Sequence, residues 1–351
     1  MDTLTHALVG ALVGRSCPTG NSGISARQGT IVGAVSAAFP DIDYLTFWID
    51  PLTFLSDWHR GPTHSLVLLP VWALLLGLFW SRACGRAEAT GRLILIVALA
   101  LGSHILTDLI TVYGIAVFYP ISDWRPGFGM TFVIDPWLTA PLAVALCASL
   151  LWKDVLLARA GLVLLMCVLG VHALLQRAAE HVGQDYAITH GLDPDTVRAI
   201  AQPLSPLHWK IVVPDADGYH TTHIRLTEGA GFPPAWAERL GIAELLAAYE
   251  KTDAPNWRSY VLFDESQDDG GLVRAVWQHP LLDRFRRFAV LPALYRIDRS
   301  TSRFCVWFTD LRYTIPSLIP AFRYGLCRSD RKSPWQLYRI RRFTDSDIEP
   351  V

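Results

Sequence analysis

The sequence has few charged residues, and this limits the classes of protein to which it can belong. Only 18% of its 351 residues are charged, whereas 51% are hydrophobic and the mean hydropathy is +0.28. These averages are too apolar for an ordinary soluble enzyme. The net charge of -1 gives no electrostatic basis for binding nucleic acid, so we expect no nucleic-acid partner.

Several other sequence signals are missing. The six cysteines contain no Cys-x-x-Cys pair, which argues against a cysteine-based metal motif. Ser65 has no Gly-x-Ser-x-Gly context, so a serine hydrolase is disfavoured. Asp2 and His6 interrupt an N-terminus without basic residues, so we predict no cleavable signal peptide. Cys305 and Cys327 could form a disulfide if their half of the chain is extracytoplasmic.

The apolar residues are concentrated before Gln176, where they form runs close to the roughly 20 residues that cross a bilayer. We therefore predict a mainly α polytopic membrane bundle for residues 1–177, with about four full spans and two short helices. The predicted spans are Ser65–Ser81, Leu93–Val112, Val133–Trp152 and Val155–Gln176, and the short helices are Leu4–Val13 and Gly29–Phe39.

Residues 178–351 have the pattern of an extramembrane α+β domain with antiparallel strands. An amphipathic pattern over Pro233–Tyr249 predicts one helix. Alternation of apolar and polar residues predicts strands at Trp209–Val213, Tyr219–Leu226, Arg303–Phe308 and Gln336–Arg341.

Basic residues orient the predicted spans, because cytoplasmic loops are enriched in Arg and Lys. Three loops carry them, at Arg15 and Arg27, at Arg82, Arg86 and Arg92, and at Lys153 and Arg159. With those loops in the cytoplasm, the N-terminus and everything after Gln176 face outward. The predicted interfacial anchors of that outer face are Trp48, Trp58, Trp124 and Trp137.

Histidine and aspartate recur in the apolar half, where ionisable side chains are costly unless they are paired or ligated. His104 and Asp108 are four residues apart in a predicted span and so share one helical face. The orientation above brings all of these residues toward the outer face. The full set of candidate metal ligands is His6, Asp41, Asp43, His59, His64, His104 and Asp108.

Imidazole and carboxylate ligands suit zinc, manganese or iron better than calcium, so we expect a divalent metal, with zinc as the first choice. Seven potential ligands exceed the needs of one tetrahedral ion, which favours two ions. Such a site could activate water against a phosphoester. We expect Asp43 or His59 to bridge the metals or act as general base, and Arg60 to hold an anionic oxygen of the substrate.

Two other classes of function stay open. The site could be a non-catalytic metal site that serves structure or sensing. The protein could instead be a scaffold whose C-terminal domain binds an envelope partner, with the polar cluster packing the bundle. A ligand position open to water would favour the enzyme, and a fully ligated ion would favour a structural role.

The candidate ligands lie in four short motifs, at Met1–Ala11, Phe39–Asp43, His59–Ser65 and His104–Asp108. Together these motifs resemble those of the YdjM-like family of inner-membrane, metal-dependent hydrolases, and the resemblance extends to Asp135–Pro136. It implies a multi-pass protein of the bacterial inner membrane, with the site and C-terminal domain on the periplasmic side by the charge rule. It also implies a metal-dependent hydrolase, although the family does not define a substrate. Our own expectation is that the protein acts among membrane lipids on a lipid-like or envelope substrate.

A more distant similarity is to zinc-dependent phospholipase C, which holds several zinc ions with a helical cluster of His and Asp. The later His-rich helix of those enzymes has no counterpart here, since His172 and His181 lie in a different context. A third metal is therefore not expected, and no substrate carries over.

Overall fold

A computed structural model divides the chain into two compact units. It describes residues 1–17, 23–227, 235–263, 270–300, 303–330, 332–341 and 344–351. The first unit comprises Met1–Ile49, Trp58–Leu175 and Pro203–Pro206, and the second comprises Asp50–Asp57, Gln176–Gln202 and Leu207–Val351. In the described parts of the chain, the first unit is helical and the second unit holds two β-sheets.

The helices are mostly long before residue 190 and short after it. In chain order they are α1 (Thr3–Ser16), α2 (Ala26–Ala38), α3 (Pro51–Thr53), α4 (Leu69–Ala83), α5 (Thr90–Leu109), α6 (Pro136–Leu151), α7 (Val155–Thr189), α8 (Ala235–Arg239), α9 (Ala243–Ala247), α10 (Gly270–Trp277) and α11 (Asp283–Phe288).

The structure contains candidate membrane spans but does not confirm the predicted count of four. Two helical segments of the described chain, Ala87–Leu109 and Val155–Thr189, are long and apolar enough to cross a membrane. Pro51–His64 and Leu69–Ala83 would together form a third, broken span. The predicted span Val133–Trp152 is shorter than expected, because Asp135 caps α6 at its first turn and the helix has only 16 residues. At 1.5 Å per residue, 16 residues reach about 24 Å, which is less than the roughly 30 Å hydrocarbon core.

Helices α1 and α2 pack with their backbones in close contact along a seam of glycines. A methyl group added to Gly14 would lie 2.0 Å from the carbonyl oxygen of Gly29, and one added to Gly33 would lie 2.0 Å from that of Gly10. Both helices thus place two glycines four residues apart on one face, the spacing that lets membrane helices approach closely. This seam fixes α1, which carries His6, against α2.

Helix α2 leads directly into the segment that carries two of the predicted ligands. A capping box of Ser25 and Gln28 starts α2, and the helix ends at Ala38. The chain then continues as a 3₁₀ helix over Phe39–Trp48, with Pro40 in its first turn. The tighter 3₁₀ winding places Asp41 beside Thr3 of α1 and His104 of α5, and it directs Asp43 toward His59.

The second unit contains two five-stranded sheets. The strands are β1 (Arg198–Ala201), β2 (His208–Asp215), β3 (Gly218–Arg225), β4 (Glu250–Lys251), β5 (Arg258–Val261), β6 (Pro292–Arg299), β7 (Phe304–Asp310), β8 (Arg323–Arg328), β9 (Gln336–Ile340) and β10 (Ile348–Pro350). In one sheet β2 pairs with β1 and β3, while β3 also pairs with β4 and β5. In the other sheet the order is β10-β9-β8-β7-β6.

The prediction of antiparallel strands in the C-terminal half is confirmed, since β2, β3, β7 and β9 cover the four predicted segments. The prediction of one helix over Pro233–Tyr249 is wrong. Its first two residues lie outside the described chain, and the remainder forms the separate helices α8 and α9. Gly241 lies between them with a φ of 67°, a left-handed conformation that ends α8.

The two cysteines of the C-terminal half are joined by a disulfide. Cys305 of β7 and Cys327 of β8 are direct cross-strand partners, and both are buried. They pack in a small core beside Trp307 and Ile340. The bond therefore links two neighbouring strands at the centre of the second sheet.

Candidate metal centre

The structure brings all eight sequence-predicted site residues into one contiguous cluster in the first unit. They come from α1, the 3₁₀ segment after α2, the Trp58–His64 segment and the last turns of α5. Seven of them are buried and Asp41 is half-buried. The cluster consists of His6, Asp41, Asp43, His59, Arg60, His64, His104 and Asp108.

The centre of the cluster is formed by His64, His104 and Asp108. The two histidine Nε2 atoms are 2.9 Å apart, and Oδ2 of Asp108 lies 3.3 Å from Nε2 of His64 and 3.5 Å from that of His104. Oδ1 of Asp41 lies 4.0 and 3.9 Å from the same two nitrogens. A tetrahedral ion with ligands at about 2.0–2.1 Å separates its ligand atoms by about 3.4 Å, so these spacings suit one ion.

Hydrogen bonds on the far side of each ring orient His64 and His104. Nδ1 of His104 lies 2.6 Å from the carbonyl oxygen of Ala37, which can only accept, so this nitrogen carries the proton. Thr63 donates its hydroxyl hydrogen to Pro40 and so accepts from Nδ1 of His64, 3.0 Å away. In the neutral rings, both Nε2 lone pairs therefore point toward the centre of the cluster.

His6 is held in the same way from another helix. Its Nδ1 lies 3.0 Å from the hydroxyl of Thr107, which donates to the main chain of its own helix and therefore accepts from the ring. Nε2 of His6 then faces Oδ1 of Asp108 at 3.2 Å, and its ring stacks on that of His104 with centroids 3.7 Å apart. His6, His104 and Asp108 thus form a second group that could hold an ion.

The two candidate groups share a ligand, and the carboxylate of Asp108 contacts both. Its Oδ1 contacts His6, Arg60 and the amino nitrogen of Met1. Its Oδ2 is buried and, within the described chain, has no hydrogen-bond partner of acceptable geometry. A buried carboxylate oxygen beside two acceptor nitrogens is unfavourable unless a cation lies between them. This donor set fits a divalent metal.

Asp43, His59 and Arg60 form a layer outside this central group. One carboxylate oxygen of Asp43 lies 3.2 Å from Nδ1 of His59 and accepts the main-chain N–H of Arg60 at 2.8 Å. The same oxygen is 3.6 Å from Nδ1 of His64. Asp43 therefore orients His59, and neither candidate ligand group includes Asp43.

Arg60 turns toward the ligands. Its guanidinium lies 2.9 Å from Asp108 and donates to Thr111 at 2.7 Å, with the ring of Tyr113 beneath it. Its backbone adopts a φ of 55°, a conformation that non-glycine residues seldom take. The segment accepts this conformation because the Arg60 N–H and side chain both bind carboxylates of the cluster.

A groove of about 500 Å³ reaches the cluster at Asp41. Its walls are mainly apolar, and Thr3 at its floor donates a 2.5 Å hydrogen bond to Asp41. Val35, Ile42 and Tyr44 line it and are each about half exposed. An apolar chain could therefore lie in this groove with its polar end at Asp41.

Sequence reasoning missed the residues that hold the histidines in place. Thr63 and Thr107 lie directly before His64 and Asp108, so the Thr-His and Thr-Asp pairs were available signals. The carbonyl of Ala37 could not be found in this way, since every residue has one. A further buried pair, Asp135 and His172 at 3.1 Å, joins the start of α6 to α7 outside the main cluster.

Buried His and Asp side chains on apolar helices define a membrane protein with a candidate metal centre. Residues 1–179 match the family model of the YdjM inner membrane protein, and the chain belongs to this family. No curated protein and no solved structure matches the chain significantly. The expected similarity to zinc-dependent phospholipase C is therefore not shown.

Proposed function

We propose that the protein is a membrane-bound, metal-dependent hydrolase that cleaves an ester or phosphoester of a lipid or lipid-like envelope molecule. The observation that carries this proposal is the convergence of three imidazole Nε2 atoms on the carboxylate of Asp108. The opposite nitrogen of each ring is held by a protein acceptor, which is the usual arrangement around histidine ligands of metals.

Asp41, His64, His104 and Asp108 would hold one divalent ion, for which zinc is our first choice. His6 would join the shared His104 and Asp108 to hold a second ion. A bound divalent ion would lower the pKa of a water molecule and polarise the bond to be cleaved.

The outer layer supplies the groups that would move protons and balance charge. The carboxylate of Asp43 would hold His59 in the orientation needed to take a proton from the attacking water. The guanidinium of Arg60 already lies against Asp108, where it would also offset negative charge that develops on the substrate.

The apolar groove supports a lipid substrate. Its exposed walls belong to the unit that holds the candidate membrane spans, and its floor carries the ligand Asp41. An acyl or prenyl chain would lie along Val35 and Ile42, and the ester would then lie at the cluster.

Hydrolysis assays with detergent-purified protein test the proposal. We expect zinc-dependent cleavage of bis-p-nitrophenyl phosphate or of a fluorescent phospholipid, with activity reduced at least about a hundredfold in His104→Ala. The matched control is His190→Ala, which removes an exposed histidine of the second unit. Bound zinc without cleavage of either substrate would assign the site a structural or sensing role instead.

We further propose that the metal centre and the C-terminal domain face the periplasm. The Cys305–Cys327 disulfide supports an oxidising compartment for that domain. Within the first unit, Arg15 binds Ser149 and Arg159 reaches Ser16, so basic residues from separate helices gather at one end. A reporter fused after Val351 should signal a periplasmic location, and a cytoplasmic signal would contradict this orientation.

A further inference from the structure

The second unit contains a cavity of about 390 Å³ that the proposed hydrolysis does not use. Residues of β3, β4, β5 and β6 and the segment from Thr314 to Pro320 form its walls. Its volume falls in the range of pockets that enclose small molecules. Tyr260, Tyr295 and Leu294 provide an aromatic and aliphatic wall for the body of a ligand.

Two opposite charges line this cavity without neutralising each other. Arg258 of β5 and Glu250 of β4 both contribute to the wall, and among the described residues no salt bridge joins them. Glu250 uses one carboxylate oxygen to accept the main-chain N–H of Asn256, which fixes its position and leaves the other oxygen for a ligand. A cavity with a separate cation and anion matches a ligand that carries both charges.

The imidazole of His223 is a third polar group in the wall of the cavity. Nε2 of His223 is buried and, in the part of the chain that the structure describes, makes no hydrogen bond. Burial lowers the pKa of His223 well below its usual value, and the charges of Lys210 and Arg258 lower it further. The ring is therefore neutral at physiological pH and can exchange a hydrogen bond with a ligand.

Buried Lys210 makes this part of the wall rigid. It is the cross-strand partner of His223, and its ammonium group donates to the carbonyl of Leu311 at 2.6 Å and to the hydroxyl and carbonyl of Thr314. Because Thr314 begins the segment that closes the cavity, these bonds fix that segment to β2, the strand beside β3. This wall of the cavity is thus held in place before a ligand arrives.

We infer that this cavity binds a small zwitterionic molecule, with an oxyanion on Arg258, an ammonium group on Glu250 and a further hydrogen bond to His223. Phosphoethanolamine has this chemistry, both as a free compound and as a lipid headgroup. The inference is independent of the hydrolase proposal, because it uses none of the metal-centre residues.

Binding of O-phosphoethanolamine to the full chain, measured by calorimetry in detergent, tests the inference. A metal-free His104→Ala background removes any binding at the metal centre. We expect Arg258→Gln and Glu250→Gln each to weaken binding about tenfold or more. The matched controls Arg198→Gln and Glu244→Gln remove exposed charges of the same unit outside the cavity and should leave binding unchanged.

Inorganic phosphate tests the roles of Arg258 and Glu250 separately. It lacks the ammonium group, so its binding should weaken in Arg258→Gln but not in Glu250→Gln. Nanodiscs of phosphatidylethanolamine and of phosphatidylcholine show whether the ligand is a lipid headgroup. If only phosphatidylethanolamine nanodiscs compete with O-phosphoethanolamine for binding, the ligand is a lipid. If the two kinds of nanodisc have the same effect on binding, the ligand is a free molecule. Absence of saturable binding, or equal losses in the control variants, would overturn the inference.

Discussion

The glycine seam between α1 and α2 leaves no room even for a methyl group, so replacing one of its glycines by alanine should destabilise the first unit. A methyl group at Gly14 would lie 2.0 Å from the carbonyl oxygen of Gly29 and 3.1 Å from the Cα of Gly33. Both neighbours are backbone atoms and cannot rotate away. To reach an ordinary contact of about 3.4 Å, the helices must separate locally by about 1.4 Å.

We expect Gly14→Ala to lower the free energy of unfolding by about 2 kcal/mol, within the usual range for overpacked interiors. The better helix propensity of alanine offsets at most about 1 kcal/mol of the stability that the steric clash removes. For a unit of this size the melting temperature should fall by roughly 4–8 °C. Since α1 carries His6 and α2 leads to Asp41, zinc affinity should also fall at least about tenfold.

The assay is thermal unfolding in detergent, in which the fraction of protein that stays monodisperse is measured at each temperature. Zinc binding is measured on the same samples. Gly170→Ala is the matched control, since no atom lies within 4 Å of a methyl group added at that helical glycine. Its melting temperature should be unchanged or slightly higher. If the two variants melt at the same temperature, the glycine seam does not hold α1 against α2.

The remaining predictions concern the histidine anchors and the buried lysine. Thr107→Val removes the acceptor for Nδ1 of His6 and should weaken zinc binding about tenfold in a metal-competition titration. Thr107→Ser keeps the hydroxyl and should bind zinc normally. Equal zinc affinity of the two variants would contradict the assigned tautomer of His6. Burial lowers the pKa of Lys210 from 10.5 to about 7, so the unfolded chain binds more protons between those values. The free energy of unfolding of the second unit should therefore rise from about pH 7 toward pH 10, and Lys210→Met should flatten that rise. If the variant shows the same slope of unfolding free energy against pH, the lowered pKa of Lys210 is contradicted.

The clustering of the candidate ligands could be predicted, because ionisable side chains in membrane-spanning segments need partners. A histidine and an aspartate four residues apart share one helical face, so the sequence already placed His104 and Asp108 together. The sequence could not show which residues of the cluster lie at its centre and which orient a neighbouring histidine. Asp41 and Asp43 are two residues apart, yet Asp41 faces the central group and Asp43 orients His59, a difference set by the 3₁₀ winding of their segment.

The ends of the helices were predicted less completely than the clustering of these residues. Hydropathy cannot show where a helix begins, so the cap at Asp135 and the late start of α4 at Leu69 shortened two predicted spans. The close approach at Gly14 depends on which face of α1 meets α2, which one helix pattern does not reveal. The break at Gly241 shows that an apolar period can continue across a residue that ends a helix.

The metal content of the purified protein shows whether the His and Asp cluster is a metal centre. We expect roughly one or two zinc ions per chain after mild detergent purification and zinc reconstitution, measured by mass spectrometry. His104→Ala should retain less than about a tenth of that metal, because both candidate groups include His104. His190→Ala should retain all of it. Wild-type protein with negligible metal, equal to that of His104→Ala, would show that this cluster is not a metal centre.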